Sequence, residues 1–282
     1  MKAAQINAYG GNEVVELNAN APTRTVSPGT LLVEVRAAGV NPVDWKIREG
    51  YLQQMAPLQF PATLGGDFSG VVTELGNGVS GFAKGDEVYG QASVLGGGSG
   101  SFAEFLSAGS TTVGQKPKNV SHTEAAALPL AGVSALQALT EHLKLALGQR
   151  ILIHGGAGGI GSFAIQLAKH LGATVAATAS ADDADYVKDL GADQVIDYKT
   201  QQFEDVIRDY DAVFDTVGGE TYSAILQGVV EGRRHRLDGR AAQRGTYATI
   251  WRDRDRARNP SDHRALSKTR RTRRAGHNQR AH

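Results

Sequence analysis

Apolar positions change period twice along this chain, and the changes divide it. From Ile151 to His154 a short apolar run of the kind that makes a fully buried parallel strand is followed at once by glycines. Ile160, Ala164, Leu167, Ala168 and Leu171 then recur at helical spacing up to Gly172, and Thr174 to Thr178 predicts a second strand. Val195–Asp197 and Ala212–Asp215 predict a third and a fourth, with helices over Ala184–Leu190, Phe203–Asp209 and Thr221–Val229. Residues 1 to 125 follow another rule. Short strand-like stretches at Thr30–Ala37, Gly70–Glu74 and Glu87–Tyr89 are separated by turn signals such as Asn41-Pro42, Gly76-Asn77-Gly78 and Lys84-Gly85-Asp86, the pattern of a partly closed β-barrel. Between the two regions, residues 122 to 147 read as helical, with Ala125, Leu128, Leu136, Leu139 and Leu143 as the apolar face.

The glycines after His154 stand in the spacing GxGxxG, at Gly156, Gly158 and Gly161. The first glycine suits a tight turn, the second lets backbone approach a pyrophosphate, and the third lets helix pack on strand. The helix that follows aims its free N–H groups and positive dipole end at the phosphates. Among 35 glycines one such spacing means little, but strand, loop, helix and second strand at the right separations point to dinucleotide binding by Gly156, Ala157, Gly158, Gly159, Ile160 and Gly161. An NAD-preferring site places a carboxylate about 20 residues past the central glycine. Here that count reaches Thr178, Ala179 and Ser180, and Ser180 could donate to a 2′-phosphate, which favours NADP. Asp182, Asp183 and Asp185 oppose it, standing where an NADP site would use Lys or Arg.

Length and composition allow two medium domains with real cores: 282 residues, 41% hydrophobic. The absence of cysteine excludes disulfides and thiolate metal sites, and no signal peptide or membrane-length apolar run is evident, so the chain is expected to be cytoplasmic. The net charge of +1 hides an asymmetry. Residues 233–282 carry 15 Arg and one Lys against four Asp, whereas residues 1–232 carry 14 basic and 25 acidic side chains.

Candidate chemistry in the β region concentrates in VNPVDWKIREGY, residues 40–51, which holds Asn41, Asp44, Lys46 and Tyr51. The alternative for this stretch is a plain turn begun by Asn41-Pro42, with Trp45 and Ile47 packing inward and Lys46 and Arg48 solvated. Residues 93–101, SVLGGGSGS, are a low-complexity loop without the strand and helix that phosphate binding needs.

EVRAAGVNPVDWKIREGY within 33–51, LGGDFSGVVTELGNGVSGFAKGDEVYG at 64–90, AALPLAGVSALQAL at 126–139, the glycine loop, LGADQVIDY at 190–198 and DAVFDTVGG at 211–219 occur in this order. Together they resemble the medium-chain dehydrogenase/reductase superfamily, in its zinc-independent quinone oxidoreductase or enone reductase branch. The resemblance covers residues 1 to about 229. It implies a GroES-like catalytic domain, a Rossmann domain, and NADPH-dependent reduction of quinones or α,β-unsaturated carbonyls by a protein that is a homo-oligomer when intact. Where zinc-dependent relatives carry a cysteine ligand this chain has Asn41, and where they carry His-Glu it has Gly66-Asp67, so no zinc is expected. By resemblance Asn41 serves the substrate carbonyl, Lys46 and Tyr51 are possible proton donors, Ser134 lies near the nicotinamide, and Tyr198 lies near the adenosine phosphate. Ser134 reads equally as a helix-interior serine bonded to its own backbone, and Tyr198 as an ordinary strand-end aromatic.

The fold class is thus α/β: a barrel domain at 1–125, a Rossmann domain at 126–230 incomplete at its C-terminal half, and an Arg-rich segment at 231–282. From residue 233 onward the only Ile, Leu, Val, Phe or Met residues are Leu237, Ile250 and Leu266, so this segment is expected to be disordered and the fourth parallel strand to lack a neighbour. Two origins compete: a frame change near 230–233, which the Arg, Ala, Gly and His content of out-of-frame GC-rich reading favours, or a basic tail for polyanions led by Arg270, Arg271, Arg273 and Arg274. Under the second, the chain is a non-catalytic nucleotide-binding protein; nucleic acid is the less favoured partner.

Overall fold

A computed structural model describes residues 1–206, 210–218, 236–237 and 249–252. The chain divides into two compact units, 1–133 and 134–282.

The first unit is antiparallel β. Strands β1 (Ala3–Ile6), β2 (Val15–Asn18), β3 (Thr30–Ala38), β4 (Ala62–Thr63), β5 (Asp67–Leu75), β6 (Glu87–Gln91), β7 (Phe105–Gly109) and β8 (Val113–Gln115) make two sheets, ordered β2-β1-β4 and β7-β3-β5-β6-β8. Alternate residues of β3, Leu31 and Val33, point to one face, where they meet Phe68, Val72, Val88 and Leu106. Register shifts interrupt the β3–β5 pairing between Leu32 and Val33 and again between Val35 and Ala37. Gly70 lies opposite Val35, and a Cβ there would collide with the Glu34 carbonyl, so the strands approach this closely only because it is glycine. The sequence pattern finds the cores of β3, β5 and β6 but none of the others. AAQI, VELN and FLSAG hold too few β-branched residues to stand out until tertiary pairing is known.

Helix α1 (Pro42–Arg48) sits inside this unit. Asn41-Pro42 starts a helix where the plain reading has only a turn: proline occupies the first helical turn and the Asp44 carboxylate accepts the Asn41 backbone N–H at 2.7 Å. Ile47 packs with Ile6, Ala62 and Leu64, which anchors the helix to the three-stranded sheet. Residues 122–147 are not one helix. Helix α2 (His122–Ala126), capped by Ser121 and Glu124, gives way at Pro129 to α3 (Pro129–Gln137), followed by a π-helical turn at Ala138–His142.

The second unit is an open sheet. Strands β9 (Arg150–His154), β10 (Thr174–Ala179), β11 (Gln194–Asp197) and β12 (Ala212–Asp215) are parallel, and with β13 (Arg236–Leu237) and β14 (Thr249–Arg252) the order is β11-β10-β9-β12-β14-β13. Helices α4 (Gly159–His170), α5 (Ala184–Asp189) and α6 (Phe203–Val206) lie between the parallel strands in sequence. Ile151, Ile153, Val175, Ala177 and Phe214 form a core with Ala164, Ile165 and Ala168 from α4. Because the chain runs from β9 outward through β10 and β11, then returns to place β12 on the other side of β9, the strand order reverses at β9. A crevice outside the carboxyl ends of β9 and its neighbours is the consequence.

One expectation is corrected here. The fourth parallel strand has a neighbour: β14 pairs with β12 antiparallel, Phe214 opposite Ile250 and Asp215 opposite Thr249. Backbone pairing needs extended chain rather than a buried face, and Thr249-Ile250-Trp251 is the one β-prone triplet in the Arg-rich segment. The remaining expectations for 231–282, with the predicted helix at 221–229 and the end of the one at 203–209, lie outside the described residues.

Candidate functional site

Among the described residues, a gathering of polar groups in each unit includes sequence candidates. In the second unit the loop from β9 to α4 makes one wall of a cleft of about 670 Å³. The turn is made by Gly155, at φ +73°, one residue before the first glycine of the GxGxxG spacing. Gly156 has a packing role instead: a Cβ there would stand 2.9 Å from Ala177 Cβ and 3.1 Å from Ile165 Cδ1. A Cβ at Gly161 would strike the Gly155 carbonyl, so the third glycine lets helix and loop close on each other as expected. At Gly158 a Cβ would meet only the Gly155 oxygen, at 3.2 Å, which leaves this side open to a ligand.

The first intrahelical bond of α4 runs from Ser162 N–H to Gly158 O, so the N–H groups of Gly159, Ile160 and Gly161 have no acceptor within the helix. Three free donors and the positive end of a twelve-residue helix make an anion site. The Ala157 and Ile160 side chains pack against the core, so these residues offer backbone rather than side chain. This is the fit a dinucleotide pyrophosphate requires.

The far wall comes from the end of β10 and the turn after β11. Ser180 lines the cleft and is 7% exposed, and its hydroxyl donates to Asp183 Oδ2 at 2.6 Å. Tyr198 lines it too, largely exposed. Gln201, Gln202 and Phe203, which follow β11, and Val217, which follows β12, line it as well and were not among the sequence candidates. His154, at the end of β9, was missed as well. Its Nδ1 lies 3.3 Å from Thr178 Oγ1, its ring meets Phe203 edge-on, and its Nε2 is buried without a partner among the described residues. Burial pushes its pKa down to about 4, against the pull of the Asp215 carboxylate.

In the first unit the centre is Asp67, at the start of β5. It is 1% exposed, and three donors converge on it: Gln91 Nε2 on Oδ1 at 3.0 Å, and Asn41 Nδ2 at 3.0 Å and the Leu130 N–H at 2.9 Å on Oδ2. Burial raises its pKa, and the three hydrogen bonds act against that rise. Asp44, buried beneath Asn41, is pushed up to about 6 by burial, with the Asp67 charge acting in the same direction. Asn41 is therefore held at both ends, its backbone by Asp44 and its amide by Asp67. One N–H of that amide is left for a ligand. Gln91 also lines a smaller cavity of about 360 Å³ with Tyr89, Thr112, Pro129 and Val133.

Lys46 and Tyr51 lie at the other end of α1. Lys46 Nζ stands 5.6 Å from the Trp45 ring centroid, and Tyr51, 68% exposed, meets that ring edge-on at 5.6 Å. The structure thus gathers Lys46 and Tyr51 around Trp45 and gathers Asn41 around Asp67. Ile47 is inward, as the plain reading of this stretch has it, but Trp45 is 40% exposed. Ser134 is half-buried on α3, and among the described residues its hydroxyl has no hydrogen-bond partner, so the helix-interior back-bond is not made. Among the described residues no group of three or more His, Cys, Asp or Glu could hold a metal ion, and no helix is long and apolar enough to cross a membrane.

Residues 27–118 match the alcohol dehydrogenase GroES-like domain, and residues 159–235 match the domain described as zinc-binding dehydrogenase. A chloroplast envelope quinone oxidoreductase homolog of Arabidopsis thaliana is 40% identical over 231 residues, 80% of this chain and 67% of the relative. The chain belongs to the medium-chain dehydrogenase/reductase family, in its quinone oxidoreductase and enone reductase branch. Other members are a 2-methylene-furan-3-one reductase of Solanum lycopersicum, 43% identical over 77% of this chain and 57% of its own length, and the solved quinone oxidoreductase of Coxiella burnetii. The latter is 41% identical with a TM-score of 0.71, covering 78% of this chain and 69% of that one. A mycobacterial member solved in complex with NADPH is 32% identical with a TM-score of 0.72, over 81% and 70%. The chain spans only 57% to 67% of the length of these curated plant relatives.

Proposed function

We propose that this chain is an NADPH-dependent oxidoreductase that reduces a quinone or an α,β-unsaturated carbonyl without zinc. The observation that carries the reading is the α4 N-terminus, whose first three N–H groups have no acceptor within the helix and which begins directly after Gly155, Ala157 and Gly158 of the cleft wall. Gly159, Ile160 and Gly161 hold the pyrophosphate, Ser180 and Tyr198 border the adenosine ribose, and Ser134 borders the nicotinamide. When bound, the dinucleotide supplies a hydride to an electron-poor carbon. Negative charge then builds on the acceptor oxygen, and the free N–H of Asn41, oriented by Asp67, donates to it. Lys46 and Tyr51 are the candidates for returning a proton.

The donor set around Asn41 argues against zinc. It offers one neutral amide and one carboxylate, and both Asp67 oxygens already accept hydrogen bonds, whereas catalytic zinc takes three protein ligands drawn from thiolate, imidazole and carboxylate. Titration of the full chain with NADPH, followed by single-turnover oxidation of the bound nucleotide by a quinone and by an enone, tests the reading. Oxidation by one of the two supports it; binding without oxidation of either marks a nucleotide-binding protein without catalysis.

Turnover in this chain is further proposed to be impaired, because the family elements end near residue 230. Translating the other two frames downstream of codon 229 tests the cause, and grafting a relative's C-terminal segment there should restore rate. If neither frame reads as the family and the protein binds DNA or RNA with a steep salt dependence, the basic-tail reading replaces it. A cytoplasmic location and a homo-oligomeric state belong to the same proposal.

A further inference from the structure

The ribose end of the cleft is built differently from what a 2′-phosphate needs. Ser180 is the first polar residue beyond β10 and the candidate donor to that phosphate, but its single hydroxyl proton already goes to Asp183 Oδ2 at 2.6 Å. The bond is held from both sides, since the Asp183 N–H returns to the Ser180 carbonyl at 3.1 Å across a single turn. A hydroxyl has one proton to give, so in this arrangement Ser180 offers an incoming phosphate only lone pairs. Asp183 lines the same cleft and adds a negative charge there. Among the described lining residues there is no lysine or arginine to offset it, and Tyr198, Gln201 and Gln202 are neutral hydrogen-bonding groups that suit ribose hydroxyls equally well.

We propose that Asp183 is a specificity-determining residue of this cleft: it withholds the Ser180 hydroxyl from a ribose 2′-phosphate and sets a carboxylate against it, so that NADPH and NADH are held with similar affinity. This rests on the oxidoreductase reading and revises its coenzyme preference, because the 2′-phosphate carries about −1.5 to −2 charges while an unphosphorylated ribose carries none. Asp183 then acts on one coenzyme only.

The test is fluorescence titration of the full chain with both nucleotides, in wild type, Asp183→Ala, Asp183→Asn, Ser180→Ala and the Asp183→Ala/Ser180→Ala double variant. Asp183 is exposed and outside the core, so its replacement leaves the fold intact, and circular dichroism checks this. Wild type should bind the two within about threefold of each other, and Asp183→Ala should tighten NADPH by about tenfold while changing NADH by less than about twofold. Asp183→Asn, which removes charge but can still accept from Ser180, should give part of that gain. Ser180→Ala should matter little alone and should cancel part of the gain in the double variant. Competition by 2′,5′-ADP against 5′-AMP, with no nicotinamide present, should show the same ranking and place the effect at the ribose. A wild type that prefers NADPH by about thirtyfold or more, or a ratio that Asp183→Ala leaves unchanged, overturns the proposal while the oxidoreductase reading stands. Failure of both nucleotides to bind removes both readings.

Discussion

The two units place their polar groups by opposite means. In 134–282 the site is backbone: consecutive N–H groups at the start of one helix, delivered by a loop of four residues, 155–158. In 1–133 it is side chain, and the parts come from far apart in sequence. Asn41 starts α1, Asp67 starts β5, Gln91 ends β6 and Leu130 opens α3, yet all meet at one carboxylate. A backbone site tolerates many side chains but no extra atom where chain meets chain. A side-chain site tolerates local change but not the loss of its centre.

Gly161→Val is the largest expected break in that comparison. Its Cβ would meet backbone atoms of Gly155 and Gly156, which cannot swing aside as a flexible side chain could. Displacing α4 from the loop by about 1 Å should weaken nucleotide binding by at least about 100-fold in a fluorescence titration. Melting of the other unit, followed by Trp45 fluorescence in a Trp251→Phe background, should change little. Equal nucleotide affinity in the variant would mean that the pyrophosphate does not use this turn.

Asn41→Ala is the counterpart in the first unit. It should slow single-turnover oxidation of bound NADPH by about 100- to 1,000-fold and leave NADPH affinity within about twofold, because a donor to developing charge acts in the transition state. A rate that does not change returns Asn41 to its role as the residue before Pro42 at the start of α1. Asp67→Asn should fall below this. All three of its partners are donors, so one amide N–H of the new residue must face another, at a cost of about 1 to 3 kcal/mol visible in chemical denaturation. The reorientation of Asn41 should add about a tenfold loss of rate, and rescue by Asp67→Glu would argue for charge over exact length.

How much of each site could be seen in the sequence follows from the same difference. The glycine loop is local: strand, turn and helix lie within twenty residues, so the dinucleotide fold and Gly158 to Gly161 are legible from spacing alone. Even there a detail was lost, since the positive φ falls on Gly155, just outside the motif. Asp67 carried no signal as the centre of anything, because the strand pairings that bring Gln91 beside it and the segment that brings Leu130 are long-range facts. Gln201, Gln202 and Phe203 were hidden for the same reason. Asp183 was visible as an acid in the wrong place for NADP, but not as the acceptor that takes the Ser180 proton.

The smallest effect is the one that separates the units most cleanly. Burial raises the Asp44 carboxyl from 3.8 to about 6, so between those values the folded chain binds more proton than the unfolded chain, and stability falls as pH rises. Burial lowers His154 from 6.5 to about 4, so over nearly the same window the unfolded chain binds more proton, and stability rises with pH. The two slopes oppose each other between about pH 4 and 6 and partly cancel in the wild type. Asp44→Asn keeps an acceptor for the Asn41 N–H but removes the charge that burial opposes. It should stabilise above about pH 6 by of order 1 to 2 kcal/mol, lose that advantage near pH 4, and leave a profile that climbs more steeply with pH than that of the wild type, because one of the two buried carboxyls that oppose His154 is gone. His154→Gln should do the reverse, protecting the chain below about pH 6 and leaving a profile that falls as pH rises through Asp44. Chemical denaturation of the wild type and both variants across this window measures it. Parallel profiles in the two variants would show that the buried carboxyl of one unit and the buried imidazole of the other are not set against each other, and that surface charge governs the acid response.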